Sequence, residues 1–350
     1  MNFFIFFIFK CSSSESNSSV IYVNLSFLRA GVIIQLFAEF IVKEYLISIG
    51  GQRVLRIAVV HDAKKPDLPS KELLQAIRDR GLEPVFLRIS GLSASFNGEI
   101  ALFYGRRRIS NLSGAIIRSL GSVTSVEQYV RRLALLKNME QTGVIVMNPV
   151  DGLALARDKY AALTALSRAG LQVPKTLVTE DIGLAYDFVK NVGKAVIKPL
   201  IGSRGYGSVL VDNPEVAFRI FKTLASFNQV IYVQEYVDKK AHDIRVFVVD
   251  NKVLASIQRF STKPDEWRTN IAQGGKAKAY NPPEEVKEMA IKACEVLGLW
   301  YAGVDIAEDR EKGYVIFEVN AAPDWQGLVE ATGVRPAKAI VDLMVKKSRS

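Results

Sequence analysis

The sequence predicts an α/β protein in which an open α/β domain precedes two α+β subdomains. Strands and helices alternate from residue 55 to about residue 150, which is typical of a small parallel-sheet domain. Farther along, two short apolar strands flank a glycine-rich tip at 195–211, and a polar turn joins the strands of a hairpin at 300–320. These three observations give the predicted division of the chain, which is 54–150, 151–233 and 234–350.

The composition favours a globular protein with a preference for anionic ligands. The 350 residues carry a formal net charge of +10, and 49% of them are hydrophobic. The basic residues are scattered, and the densest run, 106–108, is typical of a solvated loop, so we expect no specific nucleic-acid partner. Cys11 and Cys294 form neither a disulfide framework nor a metal-ligand spacing, and two histidines are too few for a zinc site, which fits a reduced cytoplasm.

Residues 1–53 are expected to be a non-native or disordered extension. The first ten residues are almost all Phe and Ile, but they lack the basic region of a secretory signal. Three charges interrupt the apolar stretch 30–49, so no membrane span is expected, whereas an amphipathic surface helix stays open. Gly50 and Gly51 are what a purine-rich ribosome-binding site would encode, and we hypothesise that the native protein starts near Val54.

The elements of the first part follow from apolar runs and from cap residues. Ser70 is a suitable N-cap for a helix that Gly81 ends. The pattern predicts a strand at 55–60, a helix at 71–80, strands at 84–89 and 115–118, a helix at 124–141 and a strand at 144–147. No dinucleotide-type glycine fingerprint is present, so the fold alone does not indicate NAD binding.

Apolar runs and cap residues also predict the helices and strands after residue 150. A helix over 151–169 should end at Gly170, and a new sheet should begin at 173–178. The remaining predicted strands are 195–198, 208–211, 230–237, 243–249, 252–260, 301–306 and 315–320, and the remaining helices are 214–226, 284–297 and 336–347.

Two carboxylates and an amide converge on the hairpin near the end of the chain. Glu318 and Asn320 are two residues apart at the end of an apolar strand, so both side chains lie on one face. The pairing of the two strands can bring Asp305 opposite Glu318. Hard oxygen ligands of this kind suit Mg²⁺, usually completed by substrate phosphates. Taken alone, the same hairpin is better interpreted as an antiparallel pair with a polar face.

A glycine-rich tip follows a strand that ends in a lysine. Lys198 closes the strand, and the tip is Gly202-Ser203-Arg204-Gly205-Tyr206-Gly207. Glycines let backbone N–H groups approach a phosphate, and the serine and arginine add donors that can close over it. The tip lacks the Gly-Lys-Ser/Thr ending of a Walker A loop. It therefore indicates a phosphate lid only in combination with the hairpin.

Together these motifs resemble the ATP-grasp superfamily, and within it the carboxylate–amine ligases of the ribosomal-protein-S6 glutamylase (RimK-like) type. The resemblance covers about residues 55–347. It implies an ATP-grasp fold with a Rossmann-like pre-ATP-grasp domain and two subdomains that clamp ATP. The segments that carry it are Arg157-Asp-Lys159-Tyr, Val196-Ile-Lys198-Pro199, Gln234-Glu235-Tyr, His242-Asp243-Ile-Arg245, Trp267-Arg268-Thr-Asn270 and Phe317-Glu318-Val-Asn320.

The resemblance also implies a role for individual residues. Lys159 and Lys198 would bind the α- and β-phosphates. Asp243 would accept a hydrogen bond from a ribose hydroxyl, and Asp238 is the alternative candidate for that role. The remaining implied assignments are Gln234, Glu235, Tyr236 and Val237 as the adenine hinge, Arg245, Arg259, Arg268 and Asn270 at the γ-phosphate and the reacting carboxylate, and Asp305, Glu318 and Asn320 as ligands of Mg²⁺ or Mn²⁺, with two ions expected.

The implied reaction is amide formation through an acyl phosphate, with release of ADP and phosphate. The expected substrates are an amino acid, glutamate first, and a small pterin-like acceptor, while a carrier-protein or ribosomal-protein carboxylate stays an alternative. Trp325 could line an aromatic-substrate pocket or simply pack, and Asp324 stands where the family pattern usually has glycine. A small-molecule kinase and an ATP-binding sensor are the rival classes. A cytoplasmic homo-oligomer is expected.

Overall fold

Three sheets and a small meander form the described part of the computed structural model, which covers residues 54–121, 124–202, 206–239, 242–261, 269 and 274–349. The strands are β1 (Arg56–His61), β2 (Glu83–Arg88), β3 (Leu92–Asn97), β4 (Glu99–Tyr104), β5 (Arg107–Arg108), β6 (Gly114–Ile117), β7 (Ile145–Met147), β8 (Thr176–Thr179), β9 (Ala195–Ile197), β10 (Val209–Val211), β11 (Ile231–Glu235), β12 (His242–Val249), β13 (Lys252–Phe260), β14 (Lys276–Ala279), β15 (Tyr301–Asp309) and β16 (Gly313–Asn320). The helices are α1 (Leu68–Asp79), α2 (Val126–Gln141), α3 (Val150–Arg157), α4 (Lys159–Arg168), α5 (Ile182–Val192), α6 (Pro214–Ser226), α7 (Glu284–Val296), α8 (Gln326–Thr332) and α9 (Pro336–Lys347).

The first sheet is parallel and has the strand order β2-β1-β6-β7. The chain leaves β1 toward one edge of the sheet and leaves β6 toward the other. The carboxyl ends of these two neighbouring strands therefore border a topological switch point, where open α/β sheets bind their ligands. The parallel sheet predicted from the alternation of strands and helices is confirmed by this topology.

Helix α1 begins three residues earlier than the sequence predicted. Asp67, rather than Ser70, is its N-cap, because the Asp67 carboxylate accepts a hydrogen bond of 3.0 Å from the Ser70 amide. Pro69 fits the first turn because its missing N–H would have no helical partner there. Ser70 is instead fully buried inside that turn.

The single helix predicted over 151–169 is two helices. Asp158 has an extended backbone and separates α3 from α4, and its carboxylate accepts hydrogen bonds of 3.0 Å from the amides of Tyr160 and Ala161. A local cap therefore outcompetes continuation of the helix. The break makes Lys159 the first residue of α4.

A three-stranded antiparallel meander, β3-β4-β5, lies between β2 and β6 in the chain, and the sequence did not predict it. Five of the six residues of β3 are exposed, so the strand lacks the apolar alternation that marks a half-buried strand. Arg107 and Arg108 form its short last strand, where a loop was expected.

The second sheet is antiparallel, with the order β10-β9-β11-β8. Helices α5 and α6 cover one face, where Val189 and Phe221 are completely buried against Ile197 and Val233. The predicted strand–tip–strand unit is confirmed by the pairing of β9 with β10. The glycine-rich tip connects those two strands.

The third sheet is antiparallel and has five strands, in the order β14-β13-β12-β15-β16. Helix α7 packs on it through Val286, Ala290 and Cys294, all of them fully buried. The register between β15 and β16 shifts beside Asp305, where Glu318 is its partner and Ile306 pairs with Ile316. The predicted pairing of Asp305 with Glu318 is confirmed.

Residues Leu55–Ser350 form one compact unit. The predicted boundary after residue 233 falls inside β11, whose partners are β8 and β9. The three-part division therefore stays a prediction, and we propose that its second boundary lies after Glu235. No helix in the described ranges is long and apolar enough to cross a membrane.

Candidate active site

A cavity with many polar and charged lining residues lies between the second and third sheets. The end of β9, the end of β11 and the facing strands of the third sheet all contribute side chains to it. Its lining is Lys159, Val196, Lys198, Pro199, Gly202, Tyr206, Ser208, Gln234, Glu235, Tyr236, Val237, Lys239, Asp243, Arg259, Thr269, Ala307, Phe317 and Glu318. Thirteen of the fifteen described residues that were predicted for ATP, phosphate or metal binding line this cavity or the one described next.

A second and larger cavity, of about 850 Å³, continues from the first. Lys159, Gly202, Arg259 and Glu318 line both cavities. The larger one extends from Arg245 and Asn320 to the carboxyl ends of β1 and β6 in the first sheet. Its size is that of a ligand pocket of ordinary dimensions. The two cavities therefore adjoin at these four residues, and together they can hold two reactants.

Lys198 presents a partly buried ammonium group to the smaller cavity. It follows β9 directly, and its Nζ donates a hydrogen bond of 2.8 Å to Oε1 of Gln234. Burial lowers the pKa of Lys198 from 10.5 to about 8, although the Glu318 carboxylate favours the charged form. A partly buried cation with one neutral partner gains most from an anionic ligand, as a phosphate would be.

Lys159 holds the start of the glycine-rich tip. Its Nζ donates to the carbonyl oxygens of Pro199, Leu200 and Gly202 at 3.3, 3.2 and 2.9 Å. Burial lowers the pKa of Lys159, and the nearby Glu318 carboxylate opposes that shift. The same ammonium lines both cavities, so it joins the tip to the space a triphosphate would cross.

The glycine-rich tip is described at its two ends. Gly202 and Tyr206 line the smaller cavity. Gly207 has a φ of +74°, and a Cβ there would lie 2.9 Å from the Pro199 ring, so glycine is required on both grounds. Ser203, Arg204 and Gly205 lie outside the described residues, and so do Arg268 and Asn270.

The predicted hinge residues Gln234, Glu235, Tyr236 and Val237 all line the smaller cavity. The Glu235 carboxylate accepts a hydrogen bond of 2.9 Å from the amide of Lys175, and it forms an ion pair with Lys312 from the turn between β15 and β16. These two contacts connect β11 to the segment before β8 and to the turn of the β15–β16 hairpin. They also engage the Glu235 side chain.

Asp243 is the centre of a buried charge cluster. Arg259 Nε donates to it at 2.6 Å and Lys239 Nζ at 3.3 Å, and the Thr269 hydroxyl donates to the same carboxylate. Burial would raise the pKa of Asp243, but Arg259 and Lys239 hold it well below its usual range. Its predicted contact with a ribose hydroxyl stays a prediction, because three donors already engage this carboxylate.

Sheet register explains how the arginines lie next to the predicted metal ligands. Arg245 on β12 is opposite Asp305 on β15, which is opposite Glu318 on β16, so the three side chains share a face. Arg245 makes a two-point ion pair with Asp305, and Arg259 Nη2 lies 3.1 Å from it. Burial disfavours the charge on Arg259, yet the carboxylates of Asp243 and Asp305 raise its pKa.

The proposed metal ligands fit Mg²⁺ in donor chemistry. Glu318 and Asn320 open into the larger cavity, and neither side chain makes a hydrogen bond with another described residue. Asp305 is directly opposite Glu318, but it is only 1% exposed and is held by the two arginines. Two oxygen donors therefore face the cavity, and the third is adjacent to them.

The sequence missed several residues of the site. Lys239 belongs to the cluster around Asp243 and lies over the ring of Phe317, which also lines the cavity. Phe317 and Glu318 both line it, although consecutive strand residues normally face opposite sides. The register shift explains this, because Phe317 is the additional residue between Ile316, which pairs with Ile306, and Glu318, which pairs with Asp305. No local pattern marks such a shift. The i,i+4 spacing of Lys239 and Asp243 was the one available signal.

Trp325 does not line either cavity. It is 2% exposed and packs edge-on against Phe247, at 6.1 Å between ring centroids. Of the two roles that the sequence left open for Trp325, packing is therefore the one observed. Asp324, in contrast, borders the larger cavity.

A model of the RimK-like ATP-grasp domain matches residues 156–344, more than half of the chain. The chain belongs to the RimK-like ATP-grasp family. The predicted fold and the predicted class, an ATP-grasp ligase that forms C–N bonds, are confirmed by this membership. The roles of the single site residues stay predictions.

Known relatives cover most of the chain. The tetrahydromethanopterin:alpha-L-glutamate ligase of Methanococcus maripaludis is 31% identical over 293 residues, which are 82% of this chain and 97% of that protein. The probable alpha-L-glutamate ligase of Rhodopirellula baltica is 32% identical over 279 residues, which are 79% of this chain and 67% of that protein.

Solved structures share the fold. ATP-grasp ligase PsnB, complexed with a phosphomimetic variant of its minimal precursor, Mg and ADP, superposes with a TM-score of 0.67. The alignment covers 83% of this RimK-like chain and 98% of PsnB at 21% sequence identity, which supports the fold alone.

Proposed function

We propose that this RimK-like ligase uses ATP and Mg²⁺ to join L-glutamate to a small, pterin-type acceptor. The observation that carries the proposal is the continuity of the two cavities through Lys159, Arg259 and Glu318. ATP in the smaller cavity would point its γ-phosphate at an acceptor in the larger one. The names of the two relatives support glutamate as the amino acid, and one of them supports the pterin. The PsnB complex supports ADP and Mg as ligands of this fold.

The chemistry needs two steps and no protein nucleophile. A carboxylate of the acceptor attacks the γ-phosphate of ATP, which gives an acyl phosphate and ADP. The amine of glutamate then attacks the acyl carbon, phosphate leaves, and an amide forms. Bound Mg²⁺, which we infer to be two ions, would neutralise charge on the transferring phosphate.

The residues of the chain align and neutralise the reactants. Lys198 and Lys159 are suited to the α- and β-phosphates because each is a partly buried ammonium group that lines the smaller cavity. Arg245 and Arg259 are held rigidly by Asp305, so their remaining donors can meet the γ-phosphate and the reacting carboxylate. We assign Arg268 and Asn270 to the same cluster, Asp243 to the ribose, and Gln234 to Val237 to adenine on the family motif.

The test is an assay of the whole chain with ATP, Mg²⁺, L-glutamate and tetrahydromethanopterin. ADP release and the mass of the acceptor would be followed together. A gain of one glutamyl residue, dependent on all four components, is the expected result. Glu318→Gln should abolish turnover because it removes a proposed metal ligand, whereas Glu330→Gln, an exposed change on α8, should not.

The rival classes give different results in the same assay. A kinase would add phosphate to the acceptor without glutamate, and a sensor would bind ATP without releasing ADP. Ligation to a peptide or protein carboxylate, but not to the pterin, would keep the ligase and replace the acceptor. Any of these three results would contradict the proposal as stated.

A further inference from the structure

A buried arginine in the larger cavity leaves most of its hydrogen-bonding capacity unused. Arg118 follows β6 directly, and its side chain is 2% exposed. Its Nη2 lies 3.3 Å from Oδ1 of Asp324, while Nε and Nη1 have no hydrogen-bond partner among the described residues. Buried polar groups almost always have partners, so a guanidinium of this kind requires an explanation.

The position of Arg118 is that of a ligand-binding residue. Its amide bonds to the carbonyl of Val60 at 2.8 Å, which places it at the carboxyl edge of the first sheet, beside the end of β1. This edge is the switch point of the sheet, and it opens into the larger cavity. The other end of that cavity holds Arg245 and Glu318, where bond formation is proposed.

The guanidinium of Arg118 is held rigidly. It lies over the ring of Trp325, 4.7 Å from the ring centroid. Trp325 is itself fixed, because its Nε1 donates to Glu72 and its ring packs against Phe247. A cation fixed in this way loses little conformational entropy when a ligand binds.

The charges around Arg118 favour one kind of ligand. Asp324 is its only described ion-pair partner, at the long end of hydrogen-bond distance, and its side chain is 45% exposed. Asp67 contributes a more distant negative charge, and the Tyr301 hydroxyl lies nearby. One exposed carboxylate compensates a buried cation poorly, so a planar anion in the cavity can replace or share that contact.

We propose that Arg118 binds a carboxylate of a substrate in the larger cavity and makes the ligase specific for acidic substrates. The inference rests on the proposed ligase function. The carboxylate has two possible sources, the incoming glutamate and an acidic group of the acceptor. Asp324 is a competing counter-ion that the substrate displaces from the guanidinium.

The test is equilibrium binding to the whole chain in the presence of Mg²⁺ and a non-hydrolysable ATP analogue. L-Glutamate and tetrahydromethanopterin are the two probes, used separately. Arg118→Gln should weaken one of them about 10- to 100-fold, leave the other unchanged and leave binding of the ATP analogue unchanged. The weakened probe identifies the source. Arg108→Gln, an exposed change on β5, is the matched control.

Two further comparisons separate binding from folding. Asp324→Asn should strengthen binding of the same probe, because it removes the competing carboxylate. If the Arg118–Asp324 pair were purely structural, both Arg118→Gln and Asp324→Asn would weaken binding of the probe. If glutamate is the source, an analogue in which either carboxylate is replaced by a carboxamide should bind the wild type less tightly than glutamate does. For the carboxylate that Arg118 binds, this loss of affinity should disappear in Arg118→Gln.

The outcomes distinguish this inference from the proposed function. Arg118→Gln with unchanged binding of both probes, or a wild type that binds neither, would overturn the inference. Wild-type ligation together with an unaffected Arg118→Gln would overturn the inference alone. Probe binding that depends on Arg118, without any ligation, would overturn the proposed function and leave the carboxylate site standing.

Discussion

The side-chain amide of Asn148 bonds to both backbone polar groups of Tyr301. Its Oδ1 accepts from the Tyr301 amide at 3.0 Å, and its Nδ2 donates to the Tyr301 carbonyl at 2.8 Å. The same amide group also accepts from the amide of Trp300 and donates to the carbonyl of Ala321, at 2.8 and 2.7 Å. A residue that follows the first sheet thus fixes the start of β15 and the end of β16, next to Asn320.

Asn148→Ala should therefore destabilise the fold and slow the reaction. Asn148 is fully buried, so its loss leaves several backbone groups without partners, at a cost of roughly 3 kcal/mol. The free energy of unfolding in urea measures the first effect, and kcat at saturating ATP measures the second. Asn138→Ala, the same change on α2, should cost much less. Equal unfolding free energies for the two variants would refute the bridging role.

Lys198 should give ATP binding a pH dependence. Its pKa of about 8 means that the ammonium is charged below pH 8 and loses its proton above it. Because the charged form attracts the triphosphate, KM for ATP should rise as the pH increases through about 8. Lys198→Met should raise KM about 10- to 100-fold and abolish this dependence. Lys190→Met, an exposed change on α5, should keep it.

The same residue affects stability in the opposite direction. The pKa of Lys198 is lower in the folded protein than its ordinary value of 10.5, so between about pH 8 and 10.5 the unfolded chain binds the additional proton. Its contribution to stability should therefore increase as the pH rises through that window. Urea unfolding of the wild type and of Lys198→Met, compared across the window, measures it. Parallel pH profiles would contradict it.

The parts that could be predicted from the sequence are those with local signals. Alternation of elements gave the first sheet, and the two-residue spacing of Glu318 and Asn320 gave one face of the hairpin. The helix break at Asp158 was missed because an internal Asp signals a cap only when the backbone is known to be extended there. The pairing of Asp305 with the arginines was missed because cross-strand register is a long-range property.

Cys294 should be chemically inert in the folded protein. Burial in α7 raises the pKa of its thiol to about 12, so almost no thiolate is present at neutral pH. In a Cys11→Ser variant, Ellman's reagent should label the chain only as fast as it unfolds. Rapid labelling without urea would contradict the buried assignment.

Cys294 should also make stability depend on pH. Above about pH 9 the thiol ionises in the unfolded chain but not in the folded protein, so its contribution to the free energy of unfolding should decrease as the pH rises.

Arg259 should contribute more to stability than any surface ion pair of the chain. It lies between the carboxylates of Asp243 and Asp305, which are 2% and 1% exposed, so Arg259→Met leaves two buried charges without their shared partner. The expected cost is about 3–5 kcal/mol. Arg310→Met breaks an exposed pair with Asp238 and should cost under about 1 kcal/mol. Urea unfolding of both variants gives the comparison. Arg259 holds the pKa of Asp243 well below its usual range, so protonation of that carboxylate at low pH removes the interaction that the variant lacks. The deficit of Arg259→Met should therefore shrink as the pH falls, and a deficit independent of pH would show that lost packing, not charge, is its cause.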